Sequence, residues 1–457
     1  MDFNAWLVDI TGEIDGFMYT YILLILLVAV GVYFTIRTKG VQIRFIKDMF
    51  KQLTEKKHVQ GERSISSFQA LMVSTASRVG TGNIAGVTGA IFVGGPGAVF
   101  WMWVSAFFGM CTKYAEIALS IQYRETDEGG AHRGGPMYYI EKGLGRGWKP
   151  LAVLFALFGG FASFGIGNIS QSSEIAGAMN GLFGIDPLVT GILLAVIVGV
   201  VIIGGVKRIG QVASYLVPFM ASFYILAGIA VILLRITQVP AALASIVTSA
   251  FSFEAVGGGV FGYAIMAAMK QGFARGVFSN EAGLGSAPMA HAASSTDEPA
   301  EQAMWGVFEV FVDTIVICTI TSLTVLLSGL PLGEAALDSY TSNGTAAVAA
   351  FNTILPGTIG GVVIQISLLF FALSTILGWS YYGEQCWGYL THDSKMVKAL
   401  FKAVFALVCI VGATGSGKLM WDIADTLNGM MAIPNLVGLL ALSGVVARIT
   451  RDYFKER

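Results

Sequence analysis

Long apolar runs separated by short polar breaks extend along almost the whole chain. A helix needs about 20 apolar residues to cross the hydrocarbon core of a bilayer, and eleven runs approach or exceed that length. They cover residues 17–36, 68–94, 96–123, 149–179, 187–205, 210–235, 260–292, 303–329, 358–388, 402–417 and 420–447. The pattern therefore predicts an all-α polytopic membrane protein with eleven transmembrane helices.

Composition excludes the main alternatives to a membrane protein. Hydrophobic residues make up 55% of the 457 residues and charged residues 12%, and the mean hydropathy is +0.70. Soluble domains carry about 25% charged residues, so a soluble globular protein and a disordered chain are both excluded. The net charge of -1 provides no basic field that would attract nucleic acid.

Lysine and arginine residues are concentrated in alternate loops. If the N-terminus lies outside, the cytoplasmic segments contain 22 of the 28 cations, and the opposite loops contain only Arg235 and Lys418. Cytoplasmic loops are the ones enriched in cations. The distribution therefore predicts a multi-pass protein of the cell membrane with its N-terminus outside and its C-terminus in the cytoplasm.

A short motif occurs twice, in the second and in the seventh predicted span. Arg78 is followed by Asn83 and an Ala-Gly pair, and Arg275 is followed by Asn280 and another Ala-Gly pair. Five spans separate equivalent helices, so the two copies run in opposite directions and form an inverted repeat. The predicted parts are an extra N-terminal helix (1–36), a basic amphipathic surface helix (37–67), two five-helix repeats (68–235 and 260–447) and a cytoplasmic tail (448–457).

The two copies predict broken helices. Glycine and short polar residues in mid-membrane interrupt a helix, which leaves backbone N–H and C=O groups that lipid cannot satisfy. Interrupted helices in corresponding positions of two halves indicate a transporter site near the bilayer midplane. Close packing of glycines is the alternative, but it explains neither the asparagines nor the arginines of the motif.

Three stretches resemble the signatures of the alanine or glycine:cation symporter family. They are Gly-Gly-Pro-Gly-Ala-Val-Phe-Trp-Met-Trp-Val-Ser-Ala-Phe-Phe-Gly at 94–109, Gly-Thr-Gly-Asn-Ile-Ala-Gly at 80–86 and Ser-Asn-Glu-Ala-Gly-Leu-Gly-Ser-Ala-Pro at 279–288. The resemblance implies the five-plus-five fold of neurotransmitter-sodium symporters (the amino acid-polyamine-cation fold). It also implies import of a small neutral amino acid, alanine or glycine, with Na⁺ by alternating access. Coupling to H⁺ is an alternative.

The resemblance also implies a sodium site. Aligning Gly82 and Asn83 with the first broken helix of that fold places the carbonyls of Ala76 and Val79 at its common sodium position. Ser374 and Thr375 in the ninth span fit the adjacent hydroxyl ligands. Four oxygens of this kind suit a hard cation, so Na⁺ is the expected coupling ion, with no organic cofactor.

The substrate is expected between the two broken helices, with its carboxylate against the unwound amides of the first. Aromatic side chains would limit the pocket to a small substrate. The expected binding residues are Gly80, Thr81, Gly82, Asn83, Gln171, Phe273, Gly276, Phe278, Ser279, Asn280 and Trp379.

Arg78 departs from the pattern of the wider fold, because a guanidinium would repel a second Na⁺. A single Na⁺ is therefore expected. A buried arginine needs an acidic partner, and Asp313 and Glu281 are the candidates. We expect these acids, with Arg78 and Arg275, to lock the broken helices together.

Other signals give no competing function. The sequence Gly-Ala-Thr-Gly-Ser-Gly-Lys at 412–418 resembles a nucleotide-binding loop, but it lacks the following Ser or Thr and a preceding strand. The histidines have no metal-ligand spacing, and no catalytic constellation indicates an enzyme. Lys113 and Glu116 are explained by mutual pairing or by snorkelling. An ion channel that uses the broken helices as a filter is the alternative from another class. The expected partners are the amino acid and the bilayer, with no obligate protein partner.

Overall fold

A computed structural model describes residues 22–44, 46, 64–126, 130–251, 260–415 and 417–455. Most of the predicted surface helix, residue 45 and residues 47–63, lies outside the described residues, as does the start of the first predicted span. Of that surface segment, the structure describes a short helix at Val41–Arg44.

The first half of the chain contains eleven α-helices. In chain order, they are α1 (Leu24–Arg37), α2 (Val41–Arg44), α3 (Ser67–Arg78), α4 (Ala85–Gly94), α5 (Gly97–Gln122), α6 (Pro136–Leu144), α7 (Lys149–Phe164), α8 (Ser170–Phe183), α9 (Pro187–Ile203), α10 (Gly205–Leu234) and α11 (Val239–Phe251), counted over the described residues. A two-residue hairpin, β1 (Glu125–Thr126) with β2 (His132–Arg133), precedes α6.

The second half continues with α12 to α21. They are α12 (Val260–Asn280), α13 (Ala287–Ala292), α14 (Pro299–Val310), α15 (Thr319–Leu327), α16 (Glu334–Leu337), α17 (Asn343–Asn352), α18 (Ile359–Leu390), α19 (Lys395–Thr414), α20 (Gly417–Ala441) and α21 (Ser443–Lys455). Helix α12 packs along α5, and α18 packs against α3, α7 and α8, so α5 and α18 flank the two motif-bearing segments.

Helices occur in all eleven predicted spans, but fewer of them satisfy a strict test for crossing a membrane. Within the described residues, five helices are long and apolar enough by length and composition, or six if the bent pair around 442 is one span. The chain is therefore a helical protein with several membrane-spanning helices. Eleven crossings and the five-plus-five repeat remain predictions.

Both copies of the repeated motif interrupt their helices. Helix α3 begins with a capping box between Ser66 and Gln69 and ends at Arg78. An extended Gly80 and one 3₁₀ turn, Thr81–Asn83, follow before α4. Helix α12 ends at Asn280, and the chain then leaves helical geometry from 281 to 286. Two further spans contain π-helical turns, at Gly165–Ile169 and Phe311–Cys318.

The connection at 330–358 contains two short helices, α16 and α17. Helix α17 packs against α4, where a Cβ added at Gly89 would lie 2.5 Å from the amide nitrogen of Asn343. The lack of a side chain at Gly89 therefore leaves room for the Asn343 side chain beside the first broken span.

Candidate functional site

The end of α3 meets the middle of α18 at the residues assigned to the sodium site. The Thr375 hydroxyl donates to the Ala76 carbonyl at 3.3 Å and to the Phe371 carbonyl at 3.0 Å, and Ser374 donates to the same Phe371 carbonyl at 2.8 Å. Val79 follows Ala76 at the buried end of α3. The Ala76 carbonyl and the Thr375 hydroxyl are thus in contact between α3 and α18, and all four residues are buried.

The unwound residues 80–82 lie between three other elements. The Thr81 hydroxyl donates to the Gln171 side-chain oxygen at 3.1 Å, and the Gln171 amide donates to the Ile166 carbonyl of the π-helical turn. A Cβ at Gly80 would lie 2.5 Å from the Thr375 hydroxyl, and one at Gly82 would lie 3.0 Å from the Phe278 ring. The first break is therefore closely surrounded by predicted site residues.

Asp313 joins the two broken segments. Asn83 donates from its side-chain amide to the Asp313 carboxylate and to the Ser279 hydroxyl, each at 2.8 Å. Ser279 in turn donates to Asp313 at 2.5 Å, and Asn280 donates to Thr314 at 3.2 Å. The Asp313 carboxylate therefore accepts hydrogen bonds from both motif-bearing segments, and all these side chains are buried.

Arg78 pairs with a different acid from the two expected. Its guanidinium lies 2.5 Å from the Glu309 carboxylate, and both side chains are fully buried. It also donates to the Asn280 carbonyl at 3.2 Å. The prediction that Asp313 or Glu281 is the partner is wrong. Glu309 lies four residues before Asp313, and its carboxylate also accepts from the Ser74 hydroxyl of α3 at 3.3 Å, which places it beside Arg78.

Arg275 occupies the equivalent motif position but is only partly buried. Its guanidinium lies 5.4 Å from the centre of the Phe278 ring, and its aliphatic part packs beside Gly86 of α4. Over the part of the chain that the structure describes, no carboxylate lies within ion-pair distance of Arg275. The expected ionic lock at this arginine is therefore not formed with a described acid.

Glu281 begins the second break and binds α18. It has a left-handed backbone with φ of 52°, and its carboxylate accepts from the Trp379 indole at 3.2 Å and from the Ser286 hydroxyl. Trp379 is fully buried against Gly167 in the π-helical turn. Trp379 thus connects the second break to α18 one turn beyond Thr375.

Phe273 and Gly276 face α5. The Phe273 ring lies 5.8 Å from the Trp101 ring, and a Cβ at Gly276 would lie 2.9 Å from the Ser105 hydroxyl. A small void of about 10 Å³ lies between α12 and α5 beside Phe273 and Asn280. These two predicted binding residues therefore pack between helices, on a different side of α12 from the contact between Phe278 and Gly82.

Sequence reasoning missed the group that holds the second break. The Glu116 carboxylate accepts from the backbone amides of Gly283 and Gly285 at 3.1 and 3.0 Å, and from the Asn435 amide at 2.5 Å. Lys113 lies 3.6 Å from the other Glu116 oxygen and donates to the Glu281 carbonyl at 2.7 Å. Both charged side chains are fully buried, so pairing is observed and snorkelling is not. The sequence signal that could have predicted this role was the Lys-x-x-Glu pair inside an apolar span.

The sequence matches known transporters over its full length. The family model described as the sodium:alanine symporter family matches residues 4–457. The sodium/alanine symporter AgcS of Methanococcus maripaludis is 49% identical over 462 residues, which cover 100% of this chain and 98% of the relative. The probable sodium/glutamine symporter GlnT of Bacillus subtilis is 39% identical, with 98% and 91% of the two chains covered. In structure, the chain is similar to the Eremococcus coleocola manganese transporter, with a TM-score of 0.51, 15% identity and 83% and 78% coverage.

Proposed function

The chain belongs to the sodium:alanine symporter family, and from this premise we propose that it is a secondary active symporter that imports alanine with Na⁺. The observation that carries the proposal is the full-length match together with the contact between Thr375 and the Ala76 carbonyl at the end of the broken helix. Glycine is the second candidate substrate. The family and the relatives reported above are described as sodium-coupled, which favours Na⁺ over H⁺.

The sodium site that we propose uses the Ala76 and Val79 carbonyls and the Ser374 and Thr375 hydroxyls. Na⁺ prefers oxygen ligands, as other hard cations do. The two hydroxyls presently bond to the Phe371 carbonyl within their own helix. Because each hydroxyl proton can stay on that carbonyl, the lone pairs of the two hydroxyl oxygens remain available to a cation.

The substrate carboxylate is assigned to the Thr81 and Gly82 amides of the first break, because the Gly80 amide, which was also expected to bind it, donates to the Asn83 side-chain oxygen at 3.0 Å. Unwound backbone N–H groups in a membrane need an anionic or polar partner. Among the described residues, no carboxylate accepts a hydrogen bond from either amide. Gln171 forms the polar wall beside Thr81, and Phe278 against Gly82 limits the space for a side chain. These contacts favour a small neutral amino acid.

The substrate amine is assigned to the polar side of the second copy. Ser279 and Asn280 lie at the end of α12, where their side chains reach Asp313 and Thr314. Asp313 supplies negative charge close to both copies. Alternating access then requires the two broken segments to move relative to α5 and α18. The proposed topology for this movement is a five-plus-five repeat with the N-terminus outside.

Uptake by purified protein in proteoliposomes tests this function. We expect alanine uptake with Na⁺ outside and little uptake with choline, and we expect labelled alanine to exchange against unlabelled alanine, which a channel would not do. Equal uptake in choline would contradict sodium coupling, and glutamine uptake above alanine uptake would reassign the substrate.

The sodium residues are tested by Ser374→Ala and Thr375→Ala. Each removes one proposed ligand, so we expect the Na⁺ concentration for half-maximal uptake to rise about tenfold, as a loss of roughly 1.4 kcal/mol would give. Ser367→Ala is the matched control, because Ser367 lies in the same helix and makes the same bond to its own backbone, to the Val363 carbonyl. Unchanged sodium dependence in both variants would remove the assigned site.

A further inference from the structure

A basic groove opens at the end of the molecule where α1 ends and α21 begins. Its volume is about 490 Å³. Six cations line it: Arg37, Lys39, Arg44, Arg448, Arg451 and Lys455. None of the described residues that line the groove is acidic. Among the described residues, Asp452 lies 3.4 Å from the Arg451 side chain.

Packing contacts and hydrogen bonds, not ion pairs, hold the groove in shape. The Arg44 guanidinium lies 3.6 Å above the centre of the Phe454 ring, which joins α2 to α21. Tyr33 and Ser443 are hydrogen-bonded at 3.0 Å, and Thr450 donates to the Tyr114 hydroxyl at 3.2 Å. The cations are thus gathered by packing, although like charges repel one another at this distance. An anion in the groove would relieve that repulsion.

The groove lies at the edge of the apolar surface of the protein. Ile36, immediately before Arg37, is 73% exposed, and Ile43, immediately before Arg44, is 60% exposed. Large exposed apolar side chains on a membrane protein face acyl chains, and adjacent cations lie at the level of the headgroups. Helix α21 bends by 60° from the preceding helix, so it departs from the direction of the span.

We propose that this groove binds the phosphate of an anionic phospholipid headgroup. Arginine and lysine side chains between membrane helices bind phosphate through charge-assisted hydrogen bonds. The exposed isoleucines beside the groove provide a surface for the acyl chains, which a soluble phosphate would not use. The bound lipid would join the end of α1 to α21. The test of this groove measures lipid binding, so its outcome does not depend on the proposed alanine and sodium sites.

The test is a lipid titration of the purified full-length protein in detergent, followed by native mass spectrometry and thermal unfolding. Phosphatidylglycerol and phosphatidylcholine with the same acyl chains are compared. In Arg448→Gln/Arg451→Gln, two groove cations are lost, and we expect the affinity for phosphatidylglycerol to fall about tenfold. The matched control, Lys207→Gln/Arg208→Gln, removes the same charge from exposed positions elsewhere and should change that affinity less than about twofold.

Two outcomes would overturn the proposal. An equal loss of phosphatidylglycerol binding in the groove variant and in the control would indicate a response to surface charge in general. Stabilisation by inorganic phosphate in phosphatidylcholine micelles, as large as that by phosphatidylglycerol, would assign the groove to a soluble phosphate. If the double variant is unstable, the single Arg448→Gln should still lower lipid affinity about threefold while the protein remains folded in phosphatidylcholine.

Discussion

Arg78 and Arg275 occupy the same position in two copies of one motif, yet their surroundings differ. Arg78 is fully buried and pairs with Glu309 at 2.5 Å. Arg275 is partly buried, and within the described structure its charged group contacts an aromatic ring, with no acid within ion-pair distance. The repeated sequence therefore produces one ionic contact in the core and one cation–π contact. Equal motif positions do not imply equal roles.

The two breaks differ in the same way. At the second break, the Glu116 carboxylate accepts from the amides of Gly283 and Gly285, so the protein supplies its own anion. At the first break, no described carboxylate accepts from the amides of Thr81 or Gly82. A carboxylate accepts from the backbone amides of the second break and no described carboxylate accepts from those of Thr81 and Gly82, which supports the proposal that the first break binds the substrate carboxylate.

The largest expected effect is a loss of stability on substitution of Arg78, which should be much larger than the loss on substitution of Arg275. Arg78→Met leaves the buried Glu309 without its arginine, and breaking a buried pair costs about 3–5 kcal/mol. Arg275→Met removes a cation–π contact worth about 0.5–1 kcal/mol. Thermal unfolding in detergent should therefore show a large loss of stability for Arg78→Met and a small one for Arg275→Met.

A second substitution checks the cause of that loss. In Arg78→Met/Glu309→Gln, the uncompensated charge is removed, so part of the lost stability should return. The double variant leaves the His291 contact with residue 309 available as a neutral hydrogen bond. If Arg78→Met alone expresses and transports like the parent, Arg78 does not lock the broken helix.

The next prediction tests whether the Glu116 carboxylate stabilises the backbone amides of the second break, as a bound anion would. Glu116→Ala leaves two backbone amides and the Asn435 amide without this acceptor and the buried Lys113 without its paired acid, and we expect a loss of at least about 2 kcal/mol in unfolding free energy. Glu116→Gln keeps an acceptor oxygen and should cost less. The measurement is denaturation in detergent, with uptake recorded for any variant that remains folded.

Gln171→Ala is the corresponding change at the first break. Gln171 contacts Thr81 through one neutral hydrogen bond, so stability should fall by only about 0.5–1.5 kcal/mol. Alanine uptake should be affected more, through a higher concentration for half-maximal transport. A stability loss as large as that of Glu116→Ala, with unchanged uptake, would reverse the roles assigned to the two breaks.

The next prediction compares the space available for a methyl group at two glycines of the first broken span. Gly80→Ala would place a methyl group 2.5 Å from the Thr375 hydroxyl, whereas Gly86→Ala would place one 3.6 Å from the Arg275 side chain, an ordinary van der Waals contact. We expect Gly80→Ala to lower alanine uptake at least about tenfold, or roughly 1.4 kcal/mol. Gly86→Ala should stay near the parent rate, and equal losses in both would contradict a site at Gly80.

Helical segments and both breaks were predictable, because hydropathy and glycine-rich polar motifs are local signals. The meeting of Ala76 with Thr375 depended on a family resemblance, since nothing local relates α3 to α18. The partner of Arg78 could not be chosen, because Glu309 and Asp313 share one span and hydropathy does not rank them. Asn435 was missed for a similar reason: it lies far along the chain from Glu116, and its role depends on how α20 packs.

The smallest expected effect comes from the partly exposed carboxylate of Glu141, which lies outside the membrane-spanning segments and contrasts with the buried acid at Arg78. Glu141 in α6 bonds to the Tyr389 hydroxyl and lies 3.3 Å from Lys149. These contacts, the tyrosine hydrogen bond first, hold the pKa of the Glu141 carboxyl below its ordinary value. A lowered carboxyl pKa contributes stability above the unfolded-state pKa, and that contribution is lost as the pH falls through the folded-state value. Glu141→Gln should therefore cost less than about 1 kcal/mol at neutral pH, and the difference from the parent should shrink in acid. A pH-independent difference in thermal unfolding would show that packing, and not charge, accounts for it.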